Sequence, residues 1–411
     1  MKKYFLSLVV IVLVFSTFFS VQAEESKEPI KIGYINAHTG GFWFTTPSGN
    51  GMKLAIEEIN ANGGVLGRSL ALLSRDSKMN PAEAVRVAEE LYTRDKAKII
   101  LNADSSSSSA AVNLWAKKNK VPFVVTTSGA DVLVWEDNHS YFARTNVGTY
   151  VWISGLFEKA IEVYGNKLKN KRWVSIASTD EFGRSLVQAA KRVAVQRGLK
   201  ADWVGGQWPV YGKMSAGPTI SALERLDPEV VYVGLSGPNL AKFVREAKKR
   251  HFIKDRIFLA PVLGFPTQLQ IIGVQTPEGW ITTGYPFDEI KKQKPALASF
   301  MKKYEDVYHE PIKGYSVFGY NAVKLIAAAI EKAGSTDAEK IKEAFGGLTF
   351  DTPFGREHLR KIDHQAATFF WVGQSAVVNG KAKLVNWTEM KVNDHSLPDG
   401  EVLKLREDKR R

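Results

Sequence analysis

The 411-residue chain contains no cysteine. That absence excludes disulfides, thiolate metal sites, a cysteine nucleophile and a lipidated cysteine behind a leader. Histidine is scarce: the seven are scattered, and His358 and His364 stand six apart, a spacing that suits no common metal pair. The familiar catalytic signatures are missing as well. There is no Walker loop, no GxGxxG after a strand, no HExxH and no GxSxG. Ser236 lies in Gly234-Leu235-Ser236-Gly237, but Pro238 stands where a nucleophile elbow needs glycine. Beyond residue 23, no stretch approaches the ~20 apolar residues that span a bilayer. No catalysis, cofactor or metal is expected.

The amino end carries an address. Lys2 and Lys3 precede a mostly apolar Leu6 to Val14, and Val21-Gln22-Ala23 forms a small-residue cleavage pattern. Residues 1–23 therefore read as a secretory signal peptide. Cleavage leaves 388 of the 411 residues and lowers the formal charge from +13 to +11, since Lys2 and Lys3 depart without an acid. An exported, unanchored chain is expected in the periplasm of a Gram-negative cell. There the positive excess serves solubility and a weak attraction for anions, not nucleic-acid binding. Without staples the fold must rely on its own core, and a chain of this length that is 44% hydrophobic can bury one.

The body alternates short apolar runs with amphipathic stretches. Lys31 to Ile35 reads as a strand. Gly51 to Asn60 reads as a helix, with Met52, Ala55, Ile56 and Ile59 at helical spacing. Strands follow at Leu70–Leu73, Lys98–Leu101 and Pro122–Val125. Helices are expected from Asn80-Pro81 to Tyr92 and over Ser107–Lys118. The beat resumes with strands at Trp173–Ala177, Val230–Val233, Ile257–Leu259 and Trp280–Thr283. Helices over Arg184–Arg197, Leu240–Arg250 and Ala322–Lys332 complete it. Such alternation predicts an α/β fold with parallel sheets covered by helices on both faces. The number of units predicts two sheets and two lobes. The tail from Asp394 to Arg411 has little periodicity and reads as frayed.

Three loops at strand carboxyl ends carry binding chemistry, and such loops are where α/β proteins hold ligands. The first contains Phe42-Trp43-Phe44. The second, Asn102-Ala103-Asp104, runs into five serines that open a helix, a ready seat for an anion. The third is Thr126-Thr127-Ser128-Gly129-Ala130-Asp131. Taken singly, each is equally a packed loop, an N-cap or a turn; together they point to a ligand cleft.

The residues also resemble a known family. The pattern Gly51-Met52-Lys53-Leu54-Ala55-Ile56-Glu57-Glu58-Ile59-Asn60, then Gly63-Gly64 and Gly67-Arg68, is similar to the substrate-binding proteins of branched-chain amino-acid-type ABC importers, the leucine/isoleucine/valine-binding type. Asp76 with Asn80-Pro81, Asp180-Glu181-Phe182-Gly183, Thr352-Pro353-Phe354-Gly355 and Asp363-His364-Gln365 extend the likeness, which runs from about Ile30 to Val385. The resemblance implies the type I periplasmic binding fold: two Rossmann-like lobes joined by three hinge crossovers, closing on a small solute that is passed to an ABC permease. One lobe would comprise residues 30–146 with 284–355, the other 147–283 with 356–392, followed by a tail at 393–411. A sensor with the same cleft and a separate membrane partner is the alternative.

By the same resemblance, Phe44, beside Trp43, falls where an aromatic stacks on the ligand. Ser106 or Ser107, then Ser128 and Ala130, fall where the ligand carboxylate is held, and Phe182 takes the second lobe's aromatic position. Thr149 and Val262 occupy positions where amino-acid-binding members carry acids, and Ser236 one where tyrosine is frequent. That departure predicts a carboxylate lacking an α-amino group, an aromatic acid above all, with an uncharged amide-like solute as the alternative. Asp104, Asp131 and Glu181 are the acids otherwise nearest to a ligand ammonium.

Overall fold

The computed structural model describes residues 28–39, 45–366 and 368–410. The signal peptide and the expectations for Trp43 and Phe44 lie outside the described residues.

The first sheet consists of β1 (Ile30–Asn36), β2 (Leu70–Asp76), β3 (Ile99–Ala103), β4 (Phe123–Val125) and β5 (Phe142–Arg144), in the order β2-β1-β3-β4-β5 and parallel throughout. A strand covered on both faces needs apolar residues on both, and β3 and β4 are buried at every position. The connecting helices open as the sequence predicts. Asn80 accepts from the backbone N–H groups of Ala82 and Glu83, with Pro81 in the first helical turn.

The second sheet begins with β6 (Arg172–Ala177), β7 (Asp202–Gln207), β8 (Val230–Gly234), β9 (Ile257–Leu259) and β10 (Ile281–Gly284). A two-stranded ribbon of β11 (Thr349–Thr352) and β12 (Gly355–His358) follows, then β13 (Phe369–Val378) and β14 (Lys381–Lys391). The order is β14-β13-β10-β9-β8-β6-β7, with β13 antiparallel to both its neighbours. The expected parallel sheets are present, and an antiparallel hairpin extends the second one at this edge. Asn379 and Gly380 both have positive φ, the geometry of a two-residue hairpin turn.

The chain leaves the first sheet after β5, returns after β10, and joins the second sheet again at β13. On its return it forms the helix Gly314–Ala333, which packs along the helix Thr45–Ala61. Two glycines permit that contact. A Cβ on Gly51 would lie 1.9 Å from the Ser316 carbonyl oxygen, and one on Gly319 would lie 2.0 Å from that of Ser48.

The tail is not frayed. Asp399–Arg410 is a helix whose Val402 is buried, and Arg406 donates to the carbonyls of Val134, Trp135 and Ile362. Little periodicity was needed, because a guanidinium on three carbonyls holds the segment. No described helix is long and apolar enough to cross a membrane.

Candidate functional site

The carboxyl ends of the parallel strands in both sheets converge on one cavity. From the first lobe, β3 delivers Asp104, Ser105 and Ser106, and β4 delivers Thr127 and Ser128. Ser105 caps the helix Ser106–Asn119 by accepting from the Ser108 N–H at 3.1 Å. The Ser128 hydroxyl donates to the Ser106 hydroxyl at 2.9 Å. A helix amino end lined by hydroxyls suits a carboxylate. Asp104 belongs to the same wall, but its oxygens are engaged within the lobe, by the Ser77 hydroxyl and the Ser105 N–H. Burial pushes its carboxyl above the usual range, and those donors oppose the shift.

The second lobe supplies Asp180 and Phe182 after β6, Ser236 after β8, and Val262, Phe265 and Gln268 after β9. Asp180 Oδ1 caps the helix Glu181–Gln196, accepting from the Gly183 N–H at 2.9 Å. Burial raises the Asp180 carboxyl too. Gln268 accepts the Gly237 N–H at 3.0 Å through Oε1, which leaves its amide N–H groups as donors. Tyr315, at the start of the helix Gly314–Ala333, completes the wall, its ring 6.2 Å from that of Phe265. No lysine, arginine or histidine is among the described lining residues. The site therefore combines a helix start suited to a carboxylate on one lobe with a half-buried acid on the other.

Five of the residues expected at the site meet here: Ser106, Ser128, Phe182, Ser236 and Val262. Ser107 instead bridges the lobes, its hydroxyl accepting from the Glu181 N–H at 3.4 Å. Ala130 and Thr149 do not line the cavity. The Ala130 carbonyl is taken by Arg144 at 2.8 Å. The Thr149 hydroxyl bonds Asp131 and lies 2.5 Å from that of Ser185, so both its positions are spent between the lobes. Asp131 is engaged in that cluster as well, and neither it nor Glu181 lines the cavity.

Sequence reasoning missed Asp180 as a lining acid. Its signal was available: it is an N-cap aspartate three residues beyond a buried strand, within the quoted Asp180-Glu181-Phe182-Gly183. Gln268 and Tyr315 carry no local signal. Among the described residues, no group of three or more histidine, aspartate or glutamate side chains could hold a metal ion.

The comparisons agree with this architecture. A family model described as periplasmic binding protein matches residues 29–382. The leucine-, isoleucine-, valine-, threonine- and alanine-binding protein of Pseudomonas aeruginosa is 26% identical over 311 residues, covering 74% of this chain and 78% of that protein. An amino acid ABC transporter substrate-binding protein from Pseudomonas fluorescens superposes with a TM-score of 0.78 at 22% identity, covering 93% of this chain and 99% of the other. A solute-binding protein of an ABC transporter from Rhodopseudomonas palustris, in complex with 3,4-dihydroxybenzoic acid, gives 0.75 at 18% identity, covering 89% and 98%. These are non-catalytic substrate-binding proteins with the two-lobed type I fold. The chain belongs to the periplasmic binding protein family, as a distant relative of its leucine/isoleucine/valine-binding members.

Proposed function

We propose that this protein is the periplasmic receptor of an ABC importer and that it captures a small zwitterion, an amino acid, between its lobes. One observation carries the reading. A half-buried acid, Asp180, faces the same cavity as the hydroxyl-lined helix start at Ser105 and Ser106, and no lysine, arginine or histidine is among the described residues lining it. A ligand carboxylate placed at Ser106 and Ser128 and an ammonium placed at Asp180 would use both. Phe182, Val262 and Phe265 supply apolar surface for the side chain. Closure of the lobes would bury the charges and strengthen both interactions, as low dielectric does. The name of the Pseudomonas aeruginosa relative fits an amino acid.

The aromatic acid predicted from Thr149 and Val262 is the second reading. The rings of Phe182, Phe265 and Tyr315 favour it, as does the dihydroxybenzoate complex of the Rhodopseudomonas palustris protein. It leaves Asp180 facing an anion, however, and so requires that carboxyl to be protonated.

The test is mass spectrometry of the solute that copurifies with the protein and is released on denaturation. A stoichiometric amino acid supports the reading. A stoichiometric acid without an amine contradicts it and restores the alternative.

A further inference from the structure

The cleft lies at the carboxyl ends of the second lobe's parallel strands, so the loops that precede those strands form the opposite pole. These loops are residues 165–172, 197–202, 224–229, 248–256 and 273–280, joined at the sheet edge by the hairpin turn 378–381. They carry thirteen lysines and arginines against six aspartates and glutamates, a net of seven positive charges. The corresponding loops of the first lobe, 28–29, 62–69, 94–98, 117–122 and 135–141, carry seven against four. The positive excess of the chain is thus concentrated at one end.

Three of those thirteen basic groups are ion-paired, Lys171 with Glu229, Arg197 with Glu158 and Arg250 with Glu246. Arg172 donates to the carbonyls of Leu226 and Asp227, and Arg256 to those of Pro228, Phe252 and Lys254, so their guanidinium groups are held by neutral partners. Lys167, Lys169, Lys200, Lys249 and Lys254 are exposed. The acids there include Glu229, paired with Lys171 at 2.5 Å.

A second observation is independent of charge. Four of the ten exposed large apolar side chains among the described residues occupy the same pole. Val163 and Val195 end the helices Thr149–Tyr164 and Glu181–Gln196, Val274 precedes β10, and Val378 ends β13. Val195 is 80% exposed. A linear polyanion would be satisfied by charge alone. A surface that is basic and also presents apolar side chains matches a bilayer with anionic headgroups, where the charges meet phosphates and the valines enter the interface.

We infer that the distal pole of the second lobe docks on anionic phospholipid membrane, holding the receptor at the bilayer while the cleft, at the other end of that lobe, stays open to solutes. Each basic side chain near an anionic surface multiplies partition by about fivefold, and salt screens the effect.

Sedimentation of the chain lacking residues 1–23 with phosphatidylcholine vesicles, with and without about 30 mol% phosphatidylglycerol, tests the inference. Binding is expected only to the anionic vesicles and should fall with salt. The quadruple variant Lys167→Glu, Lys169→Glu, Lys249→Glu, Lys254→Glu should lose at least about tenfold. The control Lys96→Glu, Lys117→Glu, Lys118→Glu, Lys120→Glu carries the same change in net charge on the first lobe and should lose less than about threefold, since it leaves the docking pole intact. Val163→Ser with Val195→Ser should weaken binding without changing its salt dependence. Thermal melts verify that each variant folds. No binding of the parent chain to anionic vesicles overturns the inference, as does equal loss in the two charge variants. Retention on an anionic polysaccharide together with indifference to vesicles overturns it too.

Discussion

Arg144 donates through Nε to Gln365 Oε1 at 2.6 Å, across 221 residues of sequence. The contact joins the segment leaving the first sheet to the segment approaching β13. Around it, the Arg144 N–H donates to the His364 carbonyl, and Gln365 Nε2 donates to the Asn146 carbonyl at 2.7 Å. The guanidinium is fully buried between Asp131 and Asp363, and burial lowers its proton affinity against their opposing charge. The two segments thus satisfy several of each other's polar groups.

Gln365→Ala removes the Nε partner and opens the Asn146 carbonyl. Leaving a buried donor and acceptor unpaired costs ~1–3 kcal/mol, more when one is charged. Urea unfolding should show a lower midpoint with an unchanged slope. An unchanged midpoint would mean that the strands are held by other contacts.

Asp180→Asn keeps size and the capping oxygen while removing the charge. If Asp180 holds the ligand ammonium, breaking that buried pair costs ~3–5 kcal/mol, a loss exceeding about hundredfold in affinity. The thermal stability of the empty protein should change little, since the cap to Gly183 survives in the amide. Equal binding by variant and parent would remove Asp180 from the site.

Glu357 is buried, its Oε1 accepting from the Thr352 hydroxyl at 3.0 Å, and burial pushes its carboxyl up to about 7 from an ordinary 4.5. The native state keeps a proton that the unfolded chain releases between those values. Its contribution to stability therefore falls as pH rises from about 4.5 to 7. Glu357→Gln supplies a permanently neutral group. It should match the parent near pH 4 and exceed it by ~1–3 kcal/mol near pH 8, read from urea unfolding at both. A gap that does not widen with pH would contradict this.

Arg406→Ala frees three carbonyls near Trp135 and Ile362 and loosens the terminal helix. Hydrogen exchange should quicken across residues 399–410 while the first sheet stays protected, because the tail opens as a local unit. Unchanged exchange there would show that buried Val402 suffices.

Much of this organisation was legible in the chain. The buried parallel strands Ile99–Ala103 and Val230–Gly234 were legible from the apolar runs 99–101 and 230–233 within them, and Asn80-Pro81 announced its helix through cap chemistry. The β13–β14 hairpin was missed, although Asn379-Gly380 between two strand-like runs is a recognised turn signal. The terminal helix was missed because its order comes from Arg406 reaching distant carbonyls, which no local pattern encodes. At the site, Ser106, Ser128, Phe182, Ser236 and Val262 were reached through the family resemblance, with the loops after the third and fourth strands pointing independently to the serine run and to Ser128. Gln268 and Tyr315 were not, since they enter from helices 47 residues apart that only folding brings together. Thr149 lies off the cavity, its hydroxyl committed to Asp131 and Ser185, and the acids that line the cavity are Asp104 and Asp180.

The most direct test of the central claim is calorimetric titration of protein freed of endogenous solute with leucine and with 4-methylpentanoate, the same body without the ammonium. The zwitterion reading predicts that leucine binds more than about hundredfold tighter, since only it pairs with Asp180. Equal affinities, or tighter binding of 4-methylpentanoate, would contradict it.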